Sequence, residues 1–151
     1  MLFRSLALTN QEKLFLYSES GNKEIKLTEE GTALAYHDGV VYIGTKRGNF
    51  LLLDVSTGKL TSTTTISGSK ITKVVFDIEN NIVAIGSSNG LLSIYNNAQG
   101  VLTSNDLKYH NMPITDIMIS GQRCLTAAHE RDIHIWDLGK LKHKGVVDSM
   151  M

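Results

Sequence analysis

The chain has one cysteine, one proline and no net charge, and each shortage removes a class of protein. Cys124 alone forms no intramolecular disulfide, and no Asn-x-Ser/Thr triplet occurs, so a reducing compartment, the cytoplasm or the nucleus, is the expected location. With 15 basic against 15 acidic side chains there is no overall pull toward polyanions: a membrane partner is not expected and nucleic acid is disfavoured. No run approaches the roughly 18 apolar residues of a membrane span. The first ten residues contain Arg4 and apolar runs of only three, too short for a signal-peptide core. Nowhere are apolar residues spaced at three and four over a helical length, which excludes helix as a main element. The one proline, Pro113, stands just before a strand, where a missing donor is harmless.

A repeat dominates what is present. At 151 residues, 42% of them hydrophobic, the chain is long enough for a core and far from the composition of disorder. Val41–Asp54 recurs as Val83–Asn96 and, more loosely, as Cys124–Asp137, so that Asp54, Asn96 and Asp137 follow one another at 42 and 41 positions. Each copy reads as two short runs of β-formers around a tight turn, Arg47-Gly48, Asn89-Gly90 or Glu130-Arg131; Asn-Gly predicts a type I′ hairpin with both residues at positive φ. A third run precedes each pair (Thr32–Tyr36, Ile71–Ile78, Ile114–Ile119) and a fourth follows it (Leu60–Ile66, Val101–Leu107, Leu141–Val147). Upstream, Ser5–Thr9, Leu14–Ser18 and Glu24–Thr28 fill the second, third and fourth places of one more unit, with a turn at Ser20–Lys23.

The middle runs are apolar at consecutive positions, as in Val40–Ile43 and Leu51–Leu53, which requires burial on both faces, whereas the fourth runs are rich in Ser and Thr. Radial stacking of blades produces that pattern; a two-layer sandwich predicts alternation and ranks second. The expected fold is all-β: a partial β-propeller of about 3.5 to 4 four-stranded antiparallel blades in one array over 1–151. Its units are 1–30, an incomplete blade lacking its first strand, then blades at 31–67, 68–107 and 108–148.

The last copy, Tyr109-His110-Asn111-Met112-Pro113-Ile114-Thr115-Asp116 followed by Ile133-His134-Ile135-Trp136-Asp137, resembles a WD40 repeat. The period agrees with the family's range of about 40 to 45 residues. The resemblance implies a structural relay of buried hydrogen bonds, which maps onto His110, Thr126 and Trp136. The family's turn Asp falls on Glu130, which either closes the relay or faces solvent. The resemblance also implies that hairpin turns and blade-to-blade loops share one face, giving Lys46, Arg47, Lys70, Asn89, Asn111, His129, Glu130 and Arg131 as the candidate partner-binding surface. Val83–Gly86, Leu92–Tyr95 and His110–Asp116 are further similar to blades of the double-propeller WD-repeat proteins that assist cofilin in actin-filament disassembly.

No chemistry asserts itself. No two of the five histidines share a face with a carboxylate or cysteine at ligand spacing, so no metal and no cofactor is assigned. Ser56-Thr57-Gly58-Lys59 lacks the earlier glycine of a phosphate loop, and no nucleophile elbow occurs. The lysines of 140–144 read as a solvated outer strand, and Cys124 as a small core residue. Thr32, Thr72 and Thr115 offer only hydroxyls where a propeller enzyme would place carboxylates or histidines in its channel. The expectation is therefore a non-catalytic protein–protein interaction scaffold, a subunit or segment of a larger assembly. Actin-filament disassembly is one alternative and channel catalysis a weaker one. Because so few blades fall below the usual count for a closed ring, the chain is expected either to be part of a longer propeller protein or to have its ring completed by a second copy or another chain.

Overall fold

In the computed structural model residues 3–9, 12–18 and 21–147 are described, with side chains for all of these except 3–9, 18, 105 and 106. Every regular element among them is a strand, and the strands form four antiparallel meanders in chain order. The first sheet has three strands: β1 (Phe3–Thr9), β2 (Lys13–Ser18) and β3 (Gly21–Lys26). The second holds β4 (Gly31–His37), β5 (Val40–Thr45), β6 (Asn49–Asp54) and β7 (Lys59–Thr65). The third holds β8 (Ile71–Asp77), β9 (Ile82–Ser87), β10 (Leu91–Asn96) and β11 (Val101–Lys108). The fourth holds β12 (Ile114–Ser120), β13 (Arg123–Ala128), β14 (Ile133–Asp137) and β15 (Lys142–Val147). The fold is a partial β-propeller, and the two-layer alternative is excluded because the middle sheets are buried on both faces.

Burial follows the sequence pattern. Every residue of β9 and all of β10 but Asn96 are buried, while β7, at the rim, alternates between exposed and half-buried. Leu14, Leu16 and Leu27 pack on the rear face of the second sheet at Val41, Ile43, Leu51 and Leu53. Its forward face, Tyr42 and Phe50, meets Ile71, Val74, Val83, Ile85 and Tyr95 of the third. The third sheet's forward face, Ile82, Ala84, Leu92 and Ile94, is covered by Ile114, Ile117, Cys124 and Trp136 of the fourth. Each such fully buried aliphatic side chain contributes roughly 1.5–3 kcal/mol, and the three contacts hold the array together. Sheet-to-sheet packing runs in chain order, β1 on β4, β4 on β8 and β8 on β12; among the described residues no comparable contact joins the fourth sheet back to the first.

Two turns differ from the sequence reading. Asn89 is not in the left-handed region; Gly90 alone is, at φ 86°, with its N–H on the Ser87 carbonyl (3.1 Å). This is a three-residue loop with a glycine bulge in place of a type I′ turn. The reason lies outside the hairpin: a Cβ on Gly90 would stand 2.1 Å from the His110 carbonyl oxygen, so the chain entering the next sheet runs directly over this residue. The type I′ geometry occurs instead at Asp38 and Gly39, with φ of 47° and 79°. Upstream, Gly21–Lys23 pair with Ser18, Tyr17 and Leu16 as strand and do not form the turn expected at Ser20–Lys23, of which Ser20 lies outside the described residues, and Thr28 falls beyond β3.

Close approach also governs the inner strands. A Cβ on Gly86 would lie 2.7 Å from Ile114 Cγ2, because β12 seats its first residue directly on that glycine. Gly86→Val should therefore push the fourth sheet outward and lower the unfolding free energy by about 1–3 kcal/mol. Gly68→Ala, in open space, should stay within about 0.5 kcal/mol of the parent. Urea unfolding followed by Trp136 fluorescence measures both.

Candidate functional site

The polar chemistry of the chain collects in the fourth sheet. Trp136 Nε1–H donates to Thr126 Oγ1 at 2.9 Å, and Thr126 Oγ1 lies 2.7 Å from His110 Nε2. Indole is only a donor and the threonine hydroxyl has one proton, so Thr126 accepts from Trp136 and donates to His110 Nε2. The proton of His110 is thereby left on Nδ1, which donates to the Glu130 carboxylate. The other oxygen of Glu130 accepts the Asn111 N–H at 3.1 Å. Burial alone would raise the Glu130 carboxyl; the bonds from Asn111 and His110 outweigh it and hold the group below its ordinary value. Of the two readings of Glu130 the structure supports the closed relay, with the longer side chain reaching the buried His110 from the turn.

Counterpart positions in the second sheet show what the relay replaces. Leu27, Ile43 and Leu53 stand there in place of His110, Thr126 and Trp136, and all three belong to one buried apolar cluster.

The loops expected to form the partner face lie at one edge of the blades. Lys46 N–H bonds the Glu30 carbonyl (3.0 Å), and Ser88 N–H bonds the Lys70 carbonyl (2.8 Å), so each hairpin turn is laced to a blade-to-blade loop. Lys46, Arg47, Lys70, Asn111, His129 and Arg131 are exposed. Lys46 Nζ faces Glu30 Oε2 at 3.6 Å, and an open cavity of about 640 Å³ is lined by Glu12, Glu30, Lys46, Arg47 and Gly68. Two residues assigned to that surface are occupied otherwise. Asn89 is half-buried with Oδ1 on the Leu91 N–H (3.2 Å), and Glu130 is held in the relay.

Sequence reasoning missed two sets of ties between blades. Thr32 Oγ1 donates to the Ile71 carbonyl and Thr72 Oγ1 to the Ile114 carbonyl, each at 2.6 Å, from the bulge of one inner strand to the start of the next. The threonine hydroxyls weighed for channel chemistry are thus bonded within the fold. Thr115, at the corresponding bulge of β12, is exposed and finds no partner among the described residues. At the other edge Tyr42 O–H donates to Asn97 Oδ1 (2.8 Å), and Asn80 Nδ2 donates to the Gly121 carbonyl (2.8 Å), linking the second, third and fourth sheets through amides. The visible signal was the Asn80-Asn81 pair in a turn with no hairpin glycine.

The histidines also differ from expectation. His134 Nδ1 and His143 Nε2 are 2.7 Å apart on the rear face of the fourth sheet, and one ligand atom from each of His110, Glu130 and His134 falls within 4.8 Å of the others. A bulge between Ile135 and Trp136 brings the two strands' residues into this diagonal register, which the sequence spacing concealed. Burial above all lowers the affinity of both His134 and His143 for a proton. Elsewhere His37 stacks on Phe76 with ring centres 4.3 Å apart, and burial pushes the Cys124 thiol up to about 12, well above the thiolate range.

No family model and no curated protein matches the chain. Solved structures do. The computationally designed Ika8 protein superposes with a TM-score of 0.83 at 21% identity, over 97% of this chain and 48% of its own. The designed Ika4 protein gives 0.71 at 25% identity, over 80% and 74%. A chain of the mitotic checkpoint complex gives 0.86 at 13% identity, over 96% and 47%. This chain therefore spans about half the length of the Ika8 and checkpoint-complex chains, and the likeness defines the class as β-propeller repeat arrays.

Two outcomes follow. Thr126→Val leaves His110 Nε2 and Trp136 Nε1–H unpartnered in a buried site and should lower stability by about 2 kcal/mol or more, whereas Thr126→Ser keeps the hydroxyl and most of the stability; urea unfolding separates them. The second concerns pH. His134 and His143 bind protons less readily folded than unfolded, chiefly because both are buried; His110, His143, Glu130 and Asp132 are the titratable neighbours of His134, and His110 is that of His143. Their contribution is complete above the unfolded value of 6.5 and is lost as pH falls through the lower folded values. The midpoint of thermal unfolding should fall between neutral and mildly acid buffers, and a His134→Gln/His143→Gln double variant should flatten that slope.

Proposed function

We propose that this chain is a non-catalytic WD40-type scaffold for protein–protein interaction that works with its propeller completed by further blades, from a longer chain of which it is a part, from a second copy or from another chain. The observation that carries this reading is the forward face of the fourth sheet. Met118 is 64% exposed and Val147 45%, with Leu125, Ala127, Ile133 and Ile135 half-buried beside them. The register equates Leu125, Ile133 and Ile135 with Ala84, Leu92 and Ile94 of the third sheet, each at most 2% exposed beneath the fourth. Thr115 corresponds to Thr72, whose hydroxyl bonds the next inner strand. An apolar sheet face with an unanswered donor at its inner end has the chemistry of a blade awaiting a neighbour.

The exposed turns with Lys46, Arg47, Lys70, Asn111, His129 and Arg131 supply a rigid polar surface of mixed charge, suited to a protein partner and not to a polyanion. Preorganised loops lower the ordering cost of association, which favours recognition over chemistry as the use of this edge. A cytoplasmic or nuclear setting suits a buried free thiol. The narrower actin reading rests on sequence strings alone, and filament co-sedimentation with cofilin tests it separately.

Light scattering at micromolar concentration tests the incomplete ring. The expected mass is that of a dimer or a larger assembly, and Ile135→Glu, which places a charge at the centre of the open face, should shift it to the monomer. A compact monomer for the parent, with no apolar dye bound at that face, would refute the reading.

A further inference from the structure

The fourth sheet gathers ligand chemistry that the second and third lack. The places of His110, Glu130 and His134 are filled by Leu27, Arg47 and Leu51 in the second sheet and by Ser67, Asn89 and Ser93 in the third. A blade therefore forms without imidazoles or a carboxylate there. In the fourth sheet one ligand atom from each of the three residues lies within 4.8 Å of the others, with His110 and His134 buried and Glu130 half-buried at the turn. The relay accounts for His110 and Glu130 but makes no use of His134, which is 6% exposed and bonds through Nδ1 to His143 Nε2 at 2.7 Å. The rings of His110 and His134 stand edge to face, with centres 4.3 Å apart and planes at 80°.

We propose that His110, Glu130 and His134 bind one divalent metal ion of the zinc type, with water as the fourth ligand on the half-buried side of Glu130. Two imidazoles and a carboxylate are a set that zinc takes, at about 2.0–2.2 Å from each. Ligand atoms at that distance around a tetrahedral ion stand about 3.3–3.5 Å apart, so atoms already within 4.8 Å of one another need to shift by little more than about an ångström. Each ligand also has an outer partner to fix its orientation, the arrangement found around metal sites. His134 donates its Nδ1–H to His143 Nε2 and ligates through Nε2. Glu130 keeps one oxygen on the Asn111 N–H and turns the other from His110 to the ion, which takes the place of the proton between those two residues. His110 remains neutral but changes tautomer: Nδ1 loses its proton and ligates, and Nε2 takes one up and donates it to Thr126 Oγ1, 2.7 Å away. With two lone pairs, Thr126 then accepts from His110 and Trp136 together. Its own proton loses its acceptor in the exchange, and the metal bonds outweigh that loss. One carboxylate against a divalent ion leaves a local charge of about +1, which the nearby Asp132 offsets.

The site does not depend on a completed ring, since its ligands lie in one sheet and the loop that enters it. The test titrates the full chain, first stripped with a chelator, with zinc chloride alone, and reads metal content after dialysis together with the imidazole nitrogen resonances. The expected result is one equivalent retained at micromolar concentration, with His110 passing from the Nδ1–H to the Nε2–H form, a change that zinc on a surface histidine would not produce. Glu130→Gln keeps an acceptor for the relay, and His134→Ser copies the third sheet. Each should keep the fold by circular dichroism and weaken zinc binding by about tenfold or more. His129→Gln, on the exposed turn, should bind like the parent. No retained zinc in the parent, zinc retained with no change of tautomer at His110, or parent-like binding by either Glu130→Gln or His134→Ser would overturn the proposal.

Discussion

Each sheet of this chain is one layer thick, and the burial of its two faces against neighbouring sheets is the constraint from which the rest follows. A sheet of three or four strands has too little core of its own; it becomes stable when Leu, Ile and aromatic side chains on both sides leave water together. This explains why the middle strands are apolar at consecutive positions and why exposed and half-buried residues alternate on outer strands such as β7 and β15. It also explains the glycines under the inner strands. Radial packing brings those strands closest together, and at Gly86 the seat for Ile114 leaves no room for a methyl group.

Inter-blade polar bonds then select register, which apolar packing leaves loose. A sheet face of Leu and Ile accepts a neighbour at several offsets, whereas Thr72 Oγ1 reaches the Ile114 carbonyl at only one. The amides at the other edge do the same, with Asn80 bridging to Gly121 and Asn97 to Tyr42. Sliding a blade by one residue would strand these donors, at about 1–3 kcal/mol for each that ends up buried without a partner. Propeller geometry is thus imposed twice, by shape along the sheet faces and by hydrogen bonds at their inner ends and edges.

The architecture was legible in the sequence because its governing pattern is local and repeated. Runs apolar on both sides, a period near 42 residues and a glycine in two of three hairpins are all visible in the linear chain. The turn type at Asn89-Gly90 was not legible, since it is set by His110 passing overhead, twenty residues further on. The fate of Glu130 was likewise hidden: its length argues against the relay until the distance from turn to His110 is known. The histidine pair was missed for a related reason. A single bulge between Ile135 and Trp136 moves His143 diagonally onto His134, and bulges leave no mark in spacing. Local periodicity transmits the fold, while contacts made by loops and irregular register carry the polar site.

The distribution of polar ties among the sheets has a physical logic of its own. In the second sheet Leu27, Ile43 and Leu53 fill the places that His110, Thr126 and Trp136 hold in the fourth, and that sheet is covered on both faces. Burial supplies its cohesion, so hydrogen bonds between side chains would add little and would need every donor satisfied. Among the described residues the fourth sheet is covered on one face only, and Met118, Ile133 and Ile135 contribute less than their counterparts beneath a neighbour. There the strands are joined by a bonded chain from Trp136 on β14 through Thr126 on β13 to His110 ahead of β12 and back to Glu130 in the hairpin. A network of this kind fixes the sheet from within and does not depend on what lies against its forward face. It allows the blade to remain ordered with that face open, and an ordered open face is the condition under which a further blade, or a partner of similar shape, can dock without first folding the surface it binds.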